Sequence, residues 1–162
     1  MRRALPIALL AAAAVGVAAA ASGDVVKRET APCPAAKVDR NRVHAGPFTG
    51  LINNPQHHVV DGRFRLHVGR YSDPARRLSN KMAWFLPRKY AVDASWVSVK
   101  GVRLAPPGRR FSDSLAEAFG AGFPDDQHVY PSNFEPPTAG CWRLTFKTGR
   151  VSGSLVVLVR SG

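Results

Sequence analysis

The C-terminal stretch 141–159 constrains the fold more than any other part of the sequence. At its start apolar and polar side chains alternate, which is typical of a strand with one buried face and one face in water. The apolar members are Trp142, Leu144 and Phe146. Thr148-Gly149-Arg150 breaks the alternation, and Gly149 can adopt the positive φ that a tight hairpin turn needs. The nearly continuous apolar run 155–159 predicts either a strand covered on both faces or a central strand of a sandwich. Together with the preceding strand it predicts a closing β-hairpin.

The remaining sequence also predicts β structure. Short stretches rich in apolar and β-branched residues are separated by turn signals, among them Asp61-Gly62, a dipeptide typical of hairpin turns. These predicted strands are 59–60, 64–68, 81–86, 95–104 and 128–130. The stretch 43–52 is interpreted as loop with at most a short strand. Ser114 and Glu117 have the spacing of a capping box, which predicts one short helical turn near 113–119.

This pattern predicts an all-β fold, an immunoglobulin-like β-sandwich of about six or seven short strands. A closed β-barrel is the alternative. The three tryptophans each fall on a predicted strand, and core packing is the interpretation we favour for all of them over a stacking platform for sugars or bases. They are Trp84, Trp96 and Trp142.

The first 21 residues have the features of a secretory signal peptide. A basic start, Met1-Arg2-Arg3, precedes an alanine-rich apolar stretch that ends in small residues suited to cleavage. The predicted organisation is a signal peptide at 1–21, an extended leader tied by Cys33 at 22–41 and a β-sandwich domain at 42–162. We expect a mature chain that begins near Ser22, has no transmembrane segment and is secreted, either extracellular or held at the cell envelope.

The chain has two cysteines, Cys33 and Cys141. An even count in an exported protein favours a disulfide, because oxidising compartments preserve such bonds. The alternative is a reactive thiol, although neither cysteine belongs to a Cys-x-x-Cys pair. A Cys33–Cys141 bond would fasten the leader to the start of the last hairpin.

A motif ahead of the hairpin carries a family resemblance. It consists of Pro131-Ser132, then Pro136-Pro137, then Gly140-Cys141-Trp142. The motif resembles the C-terminus of a group of largely uncharacterised small secreted or lipid-anchored bacterial proteins with immunoglobulin-like folds, found in actinobacteria and other Gram-positive bacteria. Glu135 and the two prolines replace the usual Phe-Pro of that group. The resemblance extends back to 81–85 and 101–104, and it implies a fold and an exported location without implying an activity.

The charge of the protein is strongly positive. The formal net charge is +12, and removal of Arg2 and Arg3 with the signal peptide leaves 12 − 2 = +10. A basic surface attracts anionic polymers, which outside a bacterium include teichoic acids, acidic lipids and extracellular DNA. The candidate anion-binding residues are three pairs in predicted loops, Arg76-Arg77, Arg88-Lys89 and Arg109-Arg110. The alternative is that the charge only keeps the protein in solution.

Three histidines suggest a second candidate site. His57-His58 and His67 flank the predicted turn at 61–62, so a hairpin there would bring imidazoles together. Imidazole nitrogens bind Zn or Cu, which makes an envelope metal-binding protein the alternative function. Neighbouring residues of a strand point to opposite faces, so only one of the first two histidines would join His67.

The sequence contains no Gly-x-Ser-x-Gly nucleophile motif and no glycine-rich phosphate loop. Its clustered acids are Glu135 and Asp125-Asp126, and the latter pair falls in a predicted loop. We therefore expect a non-enzymatic module with no cofactor and a binding or structural role at the cell envelope. Its partner is an anionic envelope polymer or another exported protein.

Overall fold

The structure is a computed structural model, which describes residues 32–69, 80–90, 95–120 and 122–161. Within these ranges the chain forms ten strands, one short helix and one 3₁₀ turn. The strands are β1 (Arg42–Ala45), β2 (Phe48–Ile52), β3 (Val59–Val60), β4 (Arg63–His67), β5 (Lys81–Pro87), β6 (Trp96–Ala105), β7 (Arg110–Ala116), β8 (Gln127–Asn133), β9 (Gly140–Thr148) and β10 (Val151–Arg160). The helix α1 is Pro55–His58, and the 3₁₀ turn is Arg88–Tyr90.

The strands form two sheets. One sheet has four strands in the order β1-β2-β5-β8, all antiparallel. The other has six strands in the order β3-β4-β10-β9-β6-β7, antiparallel except where β4 lies parallel to β10. The predicted all-β sandwich is confirmed. It has more strands than the six or seven predicted, partly because the stretch 43–52 folds as the β1–β2 hairpin.

Aromatic side chains from the two sheets meet in the core. Trp84 of β5 lies 4.2 Å from Phe146 of β9, measured between ring centroids, and Phe48 of β2 lies 5.6 Å from the same ring. All three side chains are fully buried. The indole of Trp84 lies directly over Gly50, where an added Cβ would be 2.9 Å from the ring. Glycine is thus required at this position in β2 to let the tryptophan fill the core.

The predicted C-terminal hairpin is confirmed. Thr148 pairs with Val151, so the connection is the two-residue turn Gly149-Arg150, and Gly149 has a φ of 52°. Strand β10 is central, with β9 on one side and β4 on the other. Its position explains the continuous apolar sequence that the C-terminal strand carries.

The predicted helical turn near 113–119 is wrong. Most of that segment is the second half of β7, which pairs antiparallel with β6 along its whole length. Leu115 is buried, and the ring of Phe111 covers Gly101 of β6 so closely that a Cβ there would overlap it. The carboxylate of Asp113 accepts a hydrogen bond from the backbone N–H of Ser114 at 2.7 Å. Tertiary pairing with β6 therefore outweighs the local capping pattern.

The predicted Cys33–Cys141 disulfide is confirmed, and it closes a separation of 108 residues. In the described part of the leader, Ala36 lies between the middle of β10 and the start of β4. The N–H of Ala36 donates to the carbonyl of Val156, and the carbonyl of Ala36 accepts from the N–H of Phe64, each at 2.8 Å. The leader is therefore joined to the six-stranded sheet by backbone hydrogen bonds as well as by the disulfide. The signal peptide predicted at 1–21 lies outside the described residues.

Candidate functional site

The six-stranded sheet has a strongly asymmetric charge. Its strands contain eight Lys or Arg residues and a single acid, Asp113. Seven of the cations alternate with buried residues and therefore point away from the core; Arg103, which pairs with the buried Trp142, is the exception. Asp113 pairs with the buried Val99, so it belongs to the other side of the sheet. The outward face of this sheet thus has cations and no carboxylate on its strands.

Three exposed cations on this face surround a fourth, Lys100. Lys100 of β6 pairs with Thr145 of β9, so Arg143 and Lys147 are its diagonal neighbours. On the other side Lys100 pairs with Ser112 of β7, which makes Arg110 a third diagonal neighbour. Diagonal neighbours on one face of a sheet lie roughly 7–8 Å apart. We call Lys100, Arg110, Arg143 and Lys147 the basic cluster.

Among the described residues, no ion pair with a carboxylate neutralises the positive charges of the basic cluster. None of its members forms an ion pair in this part of the chain, whereas Glu117 pairs with Arg88 and His128. Like charges at such separations repel by about 0.5 kcal/mol per pair in water. A bound polyanion would replace this repulsion with attraction, so the arrangement favours an anionic ligand.

Two further cations, Arg65 of β4 and Arg160 of β10, extend the positive face toward β4. Burial lowers the pKa of the Arg65 guanidinium, and the positive charge of Arg160 lowers it further. The Arg65 guanidinium donates two hydrogen bonds to the backbone carbonyl of His57, at 3.0 and 2.8 Å. Arg65 is therefore fixed in place by a neutral acceptor and keeps its positive charge uncompensated by a carboxylate.

Hydroxyl side chains lie between the cations on the same face. They are Ser98, Ser112, Ser114, Thr145, Ser152 and Ser154. The pairing places them in two rows, Ser114–Ser98–Lys147–Ser152 and Ser112–Lys100–Thr145–Ser154. Hydroxyls donate hydrogen bonds to phosphate oxygens, and they are small enough to leave the sheet surface open. The outward face can thus approach an extended anionic chain closely.

Two of the predicted basic pairs lie at opposite ends of the sandwich. The turn that contains Arg88-Lys89 is next to Glu117, just beyond the end of β7, whereas Arg109-Arg110 is at the start of that strand. A strand of seven residues is roughly 23 Å long, so these two pairs do not converge. Arg110 belongs to the basic cluster, and Arg76-Arg77 lies outside the described residues.

Arg88, one of the predicted anion-binding residues, has polar contacts within the protein, and its anion-binding role stays a prediction. Its Nε donates to the carbonyl of Asp125 at 2.7 Å, and its guanidinium lies 3.9 Å from the carboxylate of Glu117. That carboxylate also accepts a hydrogen bond from Nδ1 of His128 at 2.7 Å. Burial and the charge of Glu117 raise the pKa of Tyr130 to about 12, although Arg88 acts in the opposite direction. The contacts of Glu117 with Arg88 and His128 join the segment just after β7 to the turn after β5 and to β8.

The structure brings two of the three predicted metal-binding histidines together. His58 and His67 are buried, and their ring centroids are 5.7 Å apart. His57 and His58 belong to α1 instead of a strand. Nδ1 of His58 lies 3.0 Å from the carbonyl of Arg65, and Nε2 of His67 lies 3.3 Å from the carbonyl of His57. Burial lowers the pKa of His67.

Across the described ranges, no three His, Cys, Asp or Glu side chains come together in a way that would hold a metal ion. The metal-binding alternative stays a prediction, and metal analysis of the purified protein would test it.

A groove of about 890 Å³ runs between the edge of β7 and the neighbouring strands β5 and β8. Asp113 and Glu135 line it together with Lys81 and Asn133. Its two acids make this groove a poor site for an anion. The basic cluster lies on the opposite side of the six-stranded sheet and is the stronger candidate site.

Comparison with known proteins returned no family model, no curated protein and no solved structure that matches this chain. The resemblance to small exported bacterial proteins therefore stays a prediction. None of the helices in the described part of the chain has both the length and the apolar character needed to cross a bilayer.

The sequence contained a signal for the basic cluster that loop-based reasoning missed. Arg143, Thr145 and Lys147 are the polar members of the alternation in β9, and Ser98 and Lys100 are those of β6. In each strand these polar residues alternate with buried residues, so their side chains lie on the outward face of the sheet. The sequence could not supply the strand order β9-β6-β7 that joins these sets into one surface.

Proposed function

We propose that this protein is an exported, non-enzymatic module that binds an anionic polymer of the cell envelope through the outward face of its six-stranded sheet. The observation that carries the proposal is the basic cluster, in which Lys100 has three cationic diagonal neighbours and no carboxylate among its paired or diagonal neighbours on β7 and β9. The predicted signal peptide supports an exported location. The disulfide supports it as well, because such bonds persist in oxidising compartments.

The shape of the face favours a polymer over a small anion. The cations lie on an open sheet surface spread over β7, β6 and β9, with further cations on β10 and β4. Small ligands are usually bound in concave sites that bury most of their surface. An extended polyanion instead gains affinity from many separate contacts, each of which releases counterions.

Salt dependence of binding tests the proposal with inorganic polyphosphate as the probe, because it presents charge without bases or sugars. If the four cations of the basic cluster each neutralise one phosphate, log K should fall against log salt with a slope of about −2.8 to −3.6. Replacing Lys100 and Lys147 with serine should reduce the magnitude of this slope by about 1.4 to 1.8 and weaken binding at low salt.

A matched control separates site-specific binding from the effect of net charge. Arg42 and Lys81 are exposed cations on the four-stranded sheet, and replacing both with serine removes the same charge. This control should retain the wild-type slope. If the wild type does not bind at low ionic strength, or if the two double variants lose affinity equally, the proposed binding face is wrong.

A further inference from the structure

The structure exposes a set of aromatic side chains that the basic face does not account for. Five large apolar side chains are exposed among the described residues, and four of them are aromatic. The aromatic ones are Tyr90, Trp96, Phe119 and Phe123, with exposed fractions of 38%, 60%, 78% and 42%. Trp96 was expected to be a core residue, and this expectation is wrong because Trp96 pairs with the exposed Ala116 and shares its outward side. Exposed apolar residues that cluster mark interaction surfaces.

The topology brings these four residues to one end of the sandwich. Tyr90 ends the 3₁₀ turn after β5, and the N–H of Arg88 in that turn donates to Asp126, just after the loop that carries Phe123. Trp96 begins β6 beside the end of β7, where the N–H of Glu117 donates to Ser95. Phe119 follows Ala118, whose N–H donates to Val129 near the start of β8. We call these four side chains the aromatic end.

Cations flank the aromatic end. Lys89 is exposed next to Tyr90, and Nζ of Lys89 lies 5.4 Å from the centre of that ring. Arg150 is exposed in the turn between β9 and β10, which is at this end because Lys147 of β9 pairs with Ser98 near the start of β6. Asp125 and Asp126 are exposed here as well, so the end carries charges of both signs.

We propose that the aromatic end docks on the surface of a phospholipid bilayer, with Trp96, Phe119 and Phe123 in the interfacial layer. Tryptophan and tyrosine prefer this layer, because an apolar ring and a polar tip both find their surroundings there. Flanking Lys and Arg side chains suit the phosphates of the headgroups. Trp96 lies on the same outward face as the basic cluster, whereas Tyr90, Phe119 and Phe123 lie beyond the strands that carry the cluster. The inference does not depend on the proposed function.

The charges at this end favour a bilayer over a nucleic acid. Asp125 and Asp126 would repel the phosphates of a polyanion, whereas zwitterionic headgroups carry positive groups that tolerate these carboxylates. The aromatic rings also come from four separate segments around an end of the sandwich instead of lining a groove that would follow a strand of bases.

Tryptophan fluorescence gives a direct test, since Trp84 and Trp142 are fully buried and Trp96 is the exposed tryptophan. The full folded protein is mixed with vesicles of phosphatidylcholine, either alone or with phosphatidylglycerol. We expect Trp96 emission to shift to the blue and to become protected from acrylamide with both vesicles. High salt screens electrostatic attraction and would therefore suppress vesicle binding that depends only on the basic cluster. We expect part of the binding to persist at high salt because the aromatic side chains insert into the bilayer.

Replacing Phe119 and Phe123 with serine should weaken vesicle partitioning by about tenfold or more for each ring that inserts fully. The matched control is Val102→Ser, which removes an exposed apolar side chain elsewhere on the six-stranded sheet and should partition like the wild type. Lys100→Ser with Lys147→Ser should lose only the contribution of phosphatidylglycerol, which separates this inference from the proposed function.

Four results would overturn the bilayer assignment. The first two are that the wild type does not partition onto vesicles, or that the variant lacking Phe119 and Phe123 partitions as strongly as the wild type. The third is that the protein binds vesicles without a change in Trp96 emission. The fourth is that Trp96 emission changes on addition of single-stranded DNA or on self-association but not on addition of lipid.

Discussion

Trp142→Ala is expected to lower the free energy of unfolding by about 3–5 kcal/mol. The side chain is fully buried, and its ring lies 5.4 Å from that of Phe111, measured between centroids. Its Nε1 donates a hydrogen bond to the carbonyl of Thr138 at 3.0 Å. The alanine variant therefore loses apolar burial, leaves a cavity beside the Phe111 ring, and deprives the Thr138 carbonyl of its donor.

Urea unfolding measured by circular dichroism would give this change in free energy. Trp96→Ala is the matched control, because Trp96 is 60% exposed and its removal should change stability by no more than about 0.5 kcal/mol. A loss below about 1 kcal/mol for Trp142→Ala would show that the packing around β9 is not as described. Similar losses for the two variants would lead to the same conclusion.

Removing the disulfide should have an effect of comparable size. The Cys33–Cys141 bond joins residues 108 positions apart, and cross-linking a loop of this length stabilises a fold by up to about 4–5 kcal/mol on the chain-entropy model. Replacing both cysteines with alanine should lower the free energy of unfolding by a few kcal/mol. Backbone hydrogen bonds from Ala36 still hold the leader between β4 and β10, so the variant should remain folded.

Reductant provides the control for this second prediction. It should destabilise the wild type to the level of the double alanine variant and leave that variant unchanged. Peptide mapping under non-reducing conditions should recover Cys33 and Cys141 in one linked pair of peptides. Recovery of both as free thiols, or an unchanged free energy of unfolding in the variant, would contradict the described connection.

Strands with strong alternation were predictable from sequence because burial on one face imposes a period of two. The predicted strand 81–86 corresponds to β5 and 95–104 to β6, each within one residue at its ends. The hairpin turn at Asp61-Gly62 was also predictable, since both residues have positive φ, 51° and 69°, which this dipeptide tolerates better than most.

Two elements were not predictable because their sequences lack that period. Strand β7 reads Ser112-Asp113-Ser114 at its centre, and its β structure comes from pairing with β6 at the edge of the sheet. In β2, Gly50 occupies a buried position that the Trp84 ring covers. Because glycine has no apolar side chain, it interrupts the alternation of apolar residues that would identify the buried face of this strand. In both cases a partner distant in sequence determines the local structure.

The candidate site was predictable only in part for a related reason. The sequence gives the outward phase of Lys100 and of Arg143 separately, but their proximity depends on the register of β6 against β9. Basic pairs adjacent in sequence were easier to identify, yet Arg88 proved to be engaged with Glu117 and Asp125. Sequence neighbours are a weak guide to surface clusters in an antiparallel sheet, where cross-strand neighbours come from distant positions.

An NMR titration of the isotopically labelled protein with inorganic polyphosphate tests the central claim most directly, since it locates the bound polymer on the surface. Binding at the outward face should shift the side-chain and backbone signals of Lys100, Arg143 and Lys147, together with the intervening Ser98 and Thr145. Signals of residues that line the groove between β7 and strands β5 and β8 should remain unchanged. Shifts concentrated in the 3₁₀ turn after β5 or in that groove, or no shifts at low ionic strength, would contradict a polymer-binding role for the basic cluster.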